Sequence, residues 1–146
     1  QWTTPDGQAQ CRLVAGEAFG RKSPVPVYSR LFCLDVKLGP GARFEIPAEH
    51  PERAVQVVEG DIEIDGESFS AHAMLVLAAG TVATLEARGP ARVIVLGGEP
   101  LDGARFVWWN FVSATRERIE QAKQDWKAGR FAAVPGETEF IPLPER

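Results

Sequence analysis

The chain has 146 residues, 45% of them hydrophobic and 25% charged, which at ~150 residues per domain is one folded domain with its own core. A net charge of -4, from 16 basic and 20 acidic residues, excludes a broad phosphate-binding face and with it direct nucleic-acid binding. The 14 glycines and 11 prolines exceed the usual combined share of ~12% and exclude an all-helical bundle. Two His and two Cys leave little from which to build a metal site. The longest apolar run, Ala73 to Ala79, is far short of the ~20 residues a membrane helix needs. No basic-then-apolar segment opens the chain. Cys11 and Cys33 read as reduced thiols, so a cytoplasmic location is expected. The opening residue, Gln1, reads as a cut within a longer protein.

In chain order, the region from about Gln10 to Val112 reads as short strands broken by turns. Phe32, Leu34, Val36 and Leu38 alternate with Asp35 and Lys37, the period of a half-buried strand. Gly39-Pro40-Gly41 breaks the chain. Phe44 and Ile46 share one face of the next strand, and Ala54 to Val58 forms another. Ile62 and Ile64 alternate with acidic residues up to Asp65-Gly66, a two-residue hairpin signal. Met74 to Leu77, Val82 to Leu85 and Arg92 to Leu96 follow, with Gly97-Gly98 as a strand-ending turn. Phe106 to Phe111 is expected to be the last strand. Such spacing predicts an all-β sandwich or barrel. After Val112 the period changes. Ser113 is expected to N-cap a helix with a stripe of Thr115, Ile119, Ala122 and Trp126, stopped by Gly129. Phe131 to Arg146 is expected to be extended. Residues 1–146 thus read as one domain, a β-barrel over 1–112 with a helix and tail over 113–146 packed on it.

Several words of the sequence carry a resemblance. They are Pro47-Ala48-Glu49-His50-Pro51-Glu52-Arg53-Ala54-Val55, Leu96-Gly97-Gly98-Glu99-Pro100-Leu101 and Trp108-Trp109-Asn110-Phe111-Val112-Ser113. Arg118-Ile119-Glu120-Gln121-Ala122-Lys123, Gly129-Arg130-Phe131 and Phe140-Ile141-Pro142-Leu143-Pro144 follow in the tail. Together they resemble the C-terminal half of the pirin family of two-domain cupins. The resemblance implies an all-β jelly-roll barrel with one C-terminal α-helix. It also implies a parent with iron in its N-terminal cupin domain, similar to quercetin 2,3-dioxygenases or to transcriptional co-regulators.

The cupin metal pattern resembles G-x5-H-x-H-x3-E-x6-G followed by P-x-G-x2-H. Two ligands two residues apart on a strand point the same way into the barrel, and a carboxylate and a further His complete an open site. Laid on Gly41 and Gly60, the pattern puts Pro47 and Glu49 at the first two His positions and Arg53 at the Glu position. Gly80 aligns with the second motif's Gly and puts Ala83 at its His. Only Glu49 could bind a metal, and Arg53 would repel one. Like charges ~4 Å apart cost about 4 kcal/mol at an effective dielectric of ~20. Arg53 would instead pair with Glu49. No metal or other cofactor is therefore expected in this chain.

His50, next to Glu49, is expected to face away from the barrel interior, and His72 to sit in a turn. Glu49 and Arg53, with Glu52, are the candidates for acid-base work or small-molecule contact at the barrel mouth, set against a surface ion pair of little energetic weight. Alternation sends Trp109 and Phe111 to one face and Trp108 to the other, with the helix as cover for one of them. The expected function is a metal-free module that packs against the N-terminal cupin domain of the same protein or against a second copy. The alternatives are a regulatory protein-interaction module and a stand-alone, metal-independent small-molecule binder.

Overall fold

The computed structural model describes residues 1–144. Two compact units divide the chain, one ending at Pro100 and the other starting at Leu101.

The first unit is built from β1 (Trp2–Thr3), β2 (Ala9–Ala18), β3 (Arg21–Lys22), β4 (Leu31–Leu38), β5 (Arg43–Ile46) and β6 (Glu52–Glu59). It continues with β7 (Asp61–Ile64), β8 (Glu67–Ser70), β9 (Met74–Val76), β10 (Ala83–Ala87) and β11 (Ala91–Gly98). One sheet runs β1-β2-β4-β11-β6-β9, with β3 added on β2, and the other runs β5-β10-β7-β8. Strands distant in sequence are neighbours in each sheet, which is the jelly-roll arrangement.

Period two decides which side chains fill the space between the sheets. Phe32, Leu34, Val36 and Leu38 of β4, Val55 and Val57 of β6, and Val93 and Val95 of β11 are all buried. Phe44, Ile46, Ile62 and Leu85 meet them from the smaller sheet. On the opposite face of β4, Asp35 receives two hydrogen bonds from Arg92, at 2.9 and 3.0 Å. Asp65 (φ 52°) and Gly66 (φ 81°) form the tight turn between β7 and β8, as two left-handed residues in a row require.

Gly97 and Gly98 lie inside β11 and do not end it. Gly97 sits opposite both Phe32 and Arg53. A Cβ at position 97 would lie 2.3 Å from the Phe32 ring and 3.1 Å from Arg53 Cγ. Glycine is needed there because two inward side chains converge on one strand position.

The second unit holds β12 (Phe106–Trp108), β13 (Phe111–Ser113) and α1 (Arg116–Lys127). The expected strand over Phe106–Phe111 is thus a hairpin turning at Trp109-Asn110, with Trp109 at φ 50°. Alternation stops at that turn. Trp109 and Phe111 both pack on Trp126 of the helix, with ring centroids 5.1 and 6.1 Å away. Phe131 stacks on Phe111 and Phe140 on Trp126. The Trp126 indole N–H donates to the Ile141 carbonyl at 2.8 Å, so the extended tail returns to the helix. The expected division at 112/113 falls inside β13. Thr115 caps the helix in place of Ser113, its hydroxyl accepting from the Arg118 N–H at 3.4 Å. The Ser113 hydroxyl is taken by the Thr115 N–H at 3.3 Å. Gly129 (φ 65°) ends the helix as expected.

Candidate functional site

The segment between β5 and β6 carries the candidate residues. β5 ends at Ile46 because Pro47 has no N–H to continue the ladder. Residues 47–51 form a turn, and β6 starts at Glu52. Two-residue alternation therefore does not extend to Glu49 and His50, and their expected orientations are reversed.

Glu49 is exposed. Its Oε2 accepts from the main-chain N–H of Phe19 at 3.1 Å. His50 is the buried member, at 2% exposure. Its Nε2 lies 2.9 Å from the Glu17 carbonyl oxygen, so Nε2 must carry the proton and donate it. The ring packs against Phe32, centroids 4.9 Å apart. His50 Nδ1 is buried without a partner. Reading Pro47 as a strand stop would have exposed this reversal in the sequence.

Arg53 faces inward on β6 and is 2% exposed. It pairs with no carboxylate among the described residues, so the expected Glu49–Arg53 ion pair does not form. Arg53 Nη1 donates to the carbonyls of Ile46 (3.3 Å) and Pro47 (3.0 Å), and Nη2 to that of Ala78 (2.5 Å). Three carbonyl dipoles take the place of a counter-ion, which offsets the cost of burying the charge. Its Nε is buried and unpartnered. The mouth cluster of Glu49, Glu52 and Arg53 is dispersed, with both glutamates exposed and the arginine turned inside.

The donor set does not suit a metal ion. Pro47 and Ala83 offer no ligand atom, Glu49 is bonded to Phe19, and Arg53 is a cation in the interior. Among the described residues no three His, Cys, Asp or Glu side chains gather as a metal site would require. His72 is exposed in the turn before β9 with φ 77°, the turn position expected for it. Cys11 and Cys33 are both free thiols. Cys11 faces the core, where burial pushes its thiol up to about 11. Burial also raises Cys33, with Asp35 adding to it.

Two concave surfaces border this end of the barrel. A pocket of about 390 Å3 is lined by Arg21, Lys22, Arg30, Glu49 and His50, among others. An apolar groove of about 660 Å3 runs past Leu31, Cys33, Ala54, Val76, Leu77 and Leu96.

The two antiparallel sheets, with the 47–53 segment at one end of the barrel, define a cupin domain. The chain belongs to the Pirin C-terminal cupin domain family, whose family model matches residues 33–132. It is 50% identical over 141 residues to a pirin-like protein of Caulobacter vibrioides, covering 96% of this chain and 49% of that one. It is 30% identical over 122 residues to human pirin, covering 79% and 42%. The crystal structure of a quercetin 2,3-dioxygenase from Acinetobacter baumannii superposes with a TM-score of 0.80 at 26% identity, covering 95% of this chain and 49% of that one. The chain spans about half the length of the curated relatives it matches.

Proposed function

We propose that this domain is the metal-free half of a two-barrel, pirin-like protein. Its role is to pack against a companion cupin barrel and shape the approach to the iron held there. The observation that carries this reading is Arg53. It stands where the cupin pattern places the metal-binding carboxylate, and its guanidinium ties the carbonyls of Ile46, Pro47 and Ala78 together. A cation so placed repels a divalent ion and closes the barrel end in its stead. The reaction of the parent is then an oxidation of a phenolic compound of the quercetin class, with its chemistry outside this chain. The resemblance to a quercetin 2,3-dioxygenase structure supports that class.

The apolar groove supports the docking part of the reading. Val76 is 84% exposed, and Leu31, Cys33, Ala54 and Leu96 are only half covered. Apolar area of this kind on a domain half the length of its relatives suits the companion barrel as occupant.

Metal analysis of the chain purified without a metal-affinity tag tests the reading. The expected iron, nickel or manganese content is well below one ion per chain, before and after incubation with each metal. One tightly bound ion per chain overturns it. Oxygen uptake with quercetin is expected from the two-barrel protein and not from this chain alone.

A further inference from the structure

We propose that the concave surface between β12 and α1 binds a phosphate monoester carrying a small apolar group, its phosphate held by Arg105, Arg116 and Lys123. This does not rest on the companion-barrel reading, because every lining group lies in the second unit and none borders the apolar groove.

The space is about 350 Å3, the size of a small-molecule site. The buried Ile119 and the rings of Phe106 and Trp108 give it apolar walls. Three cations line it against one carboxylate, that of Glu120, in a chain whose net charge is -4. Each cation is anchored by a ring or a main-chain oxygen. Lys123 Nζ lies 4.3 Å from the Trp108 ring centroid, and Arg116 Cζ lies 4.6 Å from that of Phe106. Arg105 Nη1 donates to the Gly103 carbonyl at 3.0 Å. Arg105 and Lys123 also meet Asp102 and Glu120, but those two side chains are 88% and 64% exposed, so solvent weakens both pairs. Arg116 pairs with no carboxylate among the described residues.

Arg116 is the first residue of α1, where the positive end of the helix disfavours a cation. Residues that break a local rule concentrate at functional sites. A bound anion offsets that repulsion, since both the helix end and the cation attract it. Phe106 and Trp108 are two residues apart on one strand, so their rings are spaced about 7 Å apart, with a cation over each. A phosphate making charge-assisted bonds of about 2.8 Å on both sides spans that interval. Two guanidinium forks and an ammonium offer more donors than the two oxygens of a carboxylate use, and a monoester's three terminal oxygens match them better. The apolar part of the ester then lies against Ile119 and Val107. Because rings and a main-chain oxygen already place the cations, little side-chain freedom is lost on binding.

The test titrates the full chain with phenyl phosphate and follows the Trp108 indole N–H resonance, with inorganic phosphate and phenol as controls. Phenyl phosphate is expected to shift that resonance saturably and to bind at least fivefold more tightly than either control. Arg116→Gln and Lys123→Gln are each expected to weaken it at least fivefold. Arg118→Gln, on the same helix but outside the pocket, is expected to leave it within twofold. The Arg116 side chain is exposed, so its replacement keeps the fold and serves alone if Lys123→Gln does not fold. No saturable shift in the folded natural chain overturns the proposal. A control that binds as tightly as phenyl phosphate also overturns it, as does a loss in Arg118→Gln equal to that in Arg116→Gln.

Discussion

His50 Nε2 lies 2.9 Å from the main-chain oxygen of Glu17, and that contact fastens the C-terminal end of β2 to the loop before β6. Glu49 makes the adjoining contact to the Phe19 N–H. A segment that resembles a metal-binding motif thereby serves as a clasp between two loops. The clasp places a ring nitrogen and a guanidinium in the interior, and each makes its bonds to main-chain carbonyls.

Replacing His50 by Ala removes the donor to the Glu17 carbonyl and the ring that packs on Phe32. A lost buried partner and a partly filled cavity together cost about 2–4 kcal/mol. The midpoint of urea unfolding should fall accordingly. A loss below about 0.5 kcal/mol, the level of an ordinary surface change, would show that the clasp carries no weight.

Arg53→Met keeps most of the side-chain length and apolar contact but leaves three carbonyls without their donor. The expected loss is about 3 kcal/mol, since an unpaired buried polar group costs ~1–3 kcal/mol and the removed charge returns part of its burial cost. Chemical denaturation measures it, and Arg53→Lys should recover only a fraction, because an ammonium does not reproduce the guanidinium fork.

Gly97→Ala puts a methyl 2.3 Å from the Phe32 ring and 2.9 Å from the Glu52 carbonyl oxygen. Overpacking of this kind costs about 1–3 kcal/mol. Phe32→Leu in the same chain should relieve part of it, giving a non-additive double-mutant cycle. Strictly additive losses would place the strain elsewhere.

Asp35 has a depressed pKa because Arg92 hydrogen-bonds its carboxylate and adds charge attraction. A depressed folded-state value means the pair's stabilisation is complete above the unfolded pKa of ~3.9 and is lost as pH falls through the folded value. Asp35→Asn should therefore be less stable than the natural chain at pH 6. The gap should begin to narrow below about pH 4, the ordinary Asp value, and be gone once pH has fallen through the depressed folded value. Urea midpoints from pH 6 to pH 2 read it. The Arg92 side chain is 37% exposed, so solvent screening keeps the gap at pH 6 to about 1 kcal/mol or less.

Cys11 is 1% exposed and its thiol is raised to about 11, so it presents little thiolate at neutral pH. A thiol reagent at pH 8 should modify Cys33 first and reach Cys11 only in denaturant. Equal rates at both thiols in the folded chain would contradict the buried position of β2.

The sequence by itself determined most of the sandwich. Alternation along Phe32–Leu38 and Ile62–Ile64 names the core face because a strand has only two sides. Asp65-Gly66 names a hairpin because both residues tolerate positive φ. Glycine at 129 marks the helix stop for the same conformational reason. The departures at the ligand positions are also legible, since Pro47 and Ala83 carry no donor atom whatever their orientation. Only the tertiary structure decided where the polar side chains go. Glu49 and His50 exchange their expected faces because β5 stops at Pro47, and Arg53 finds carbonyls brought from residues 46, 47 and 78. The hairpin at Trp109-Asn110 was likewise hidden from periodicity, although the helix as cover for Trp109 and Phe111 was legible. A local period records which side a residue takes while the strand lasts. It holds no information about what another loop, thirty residues away, brings to meet it.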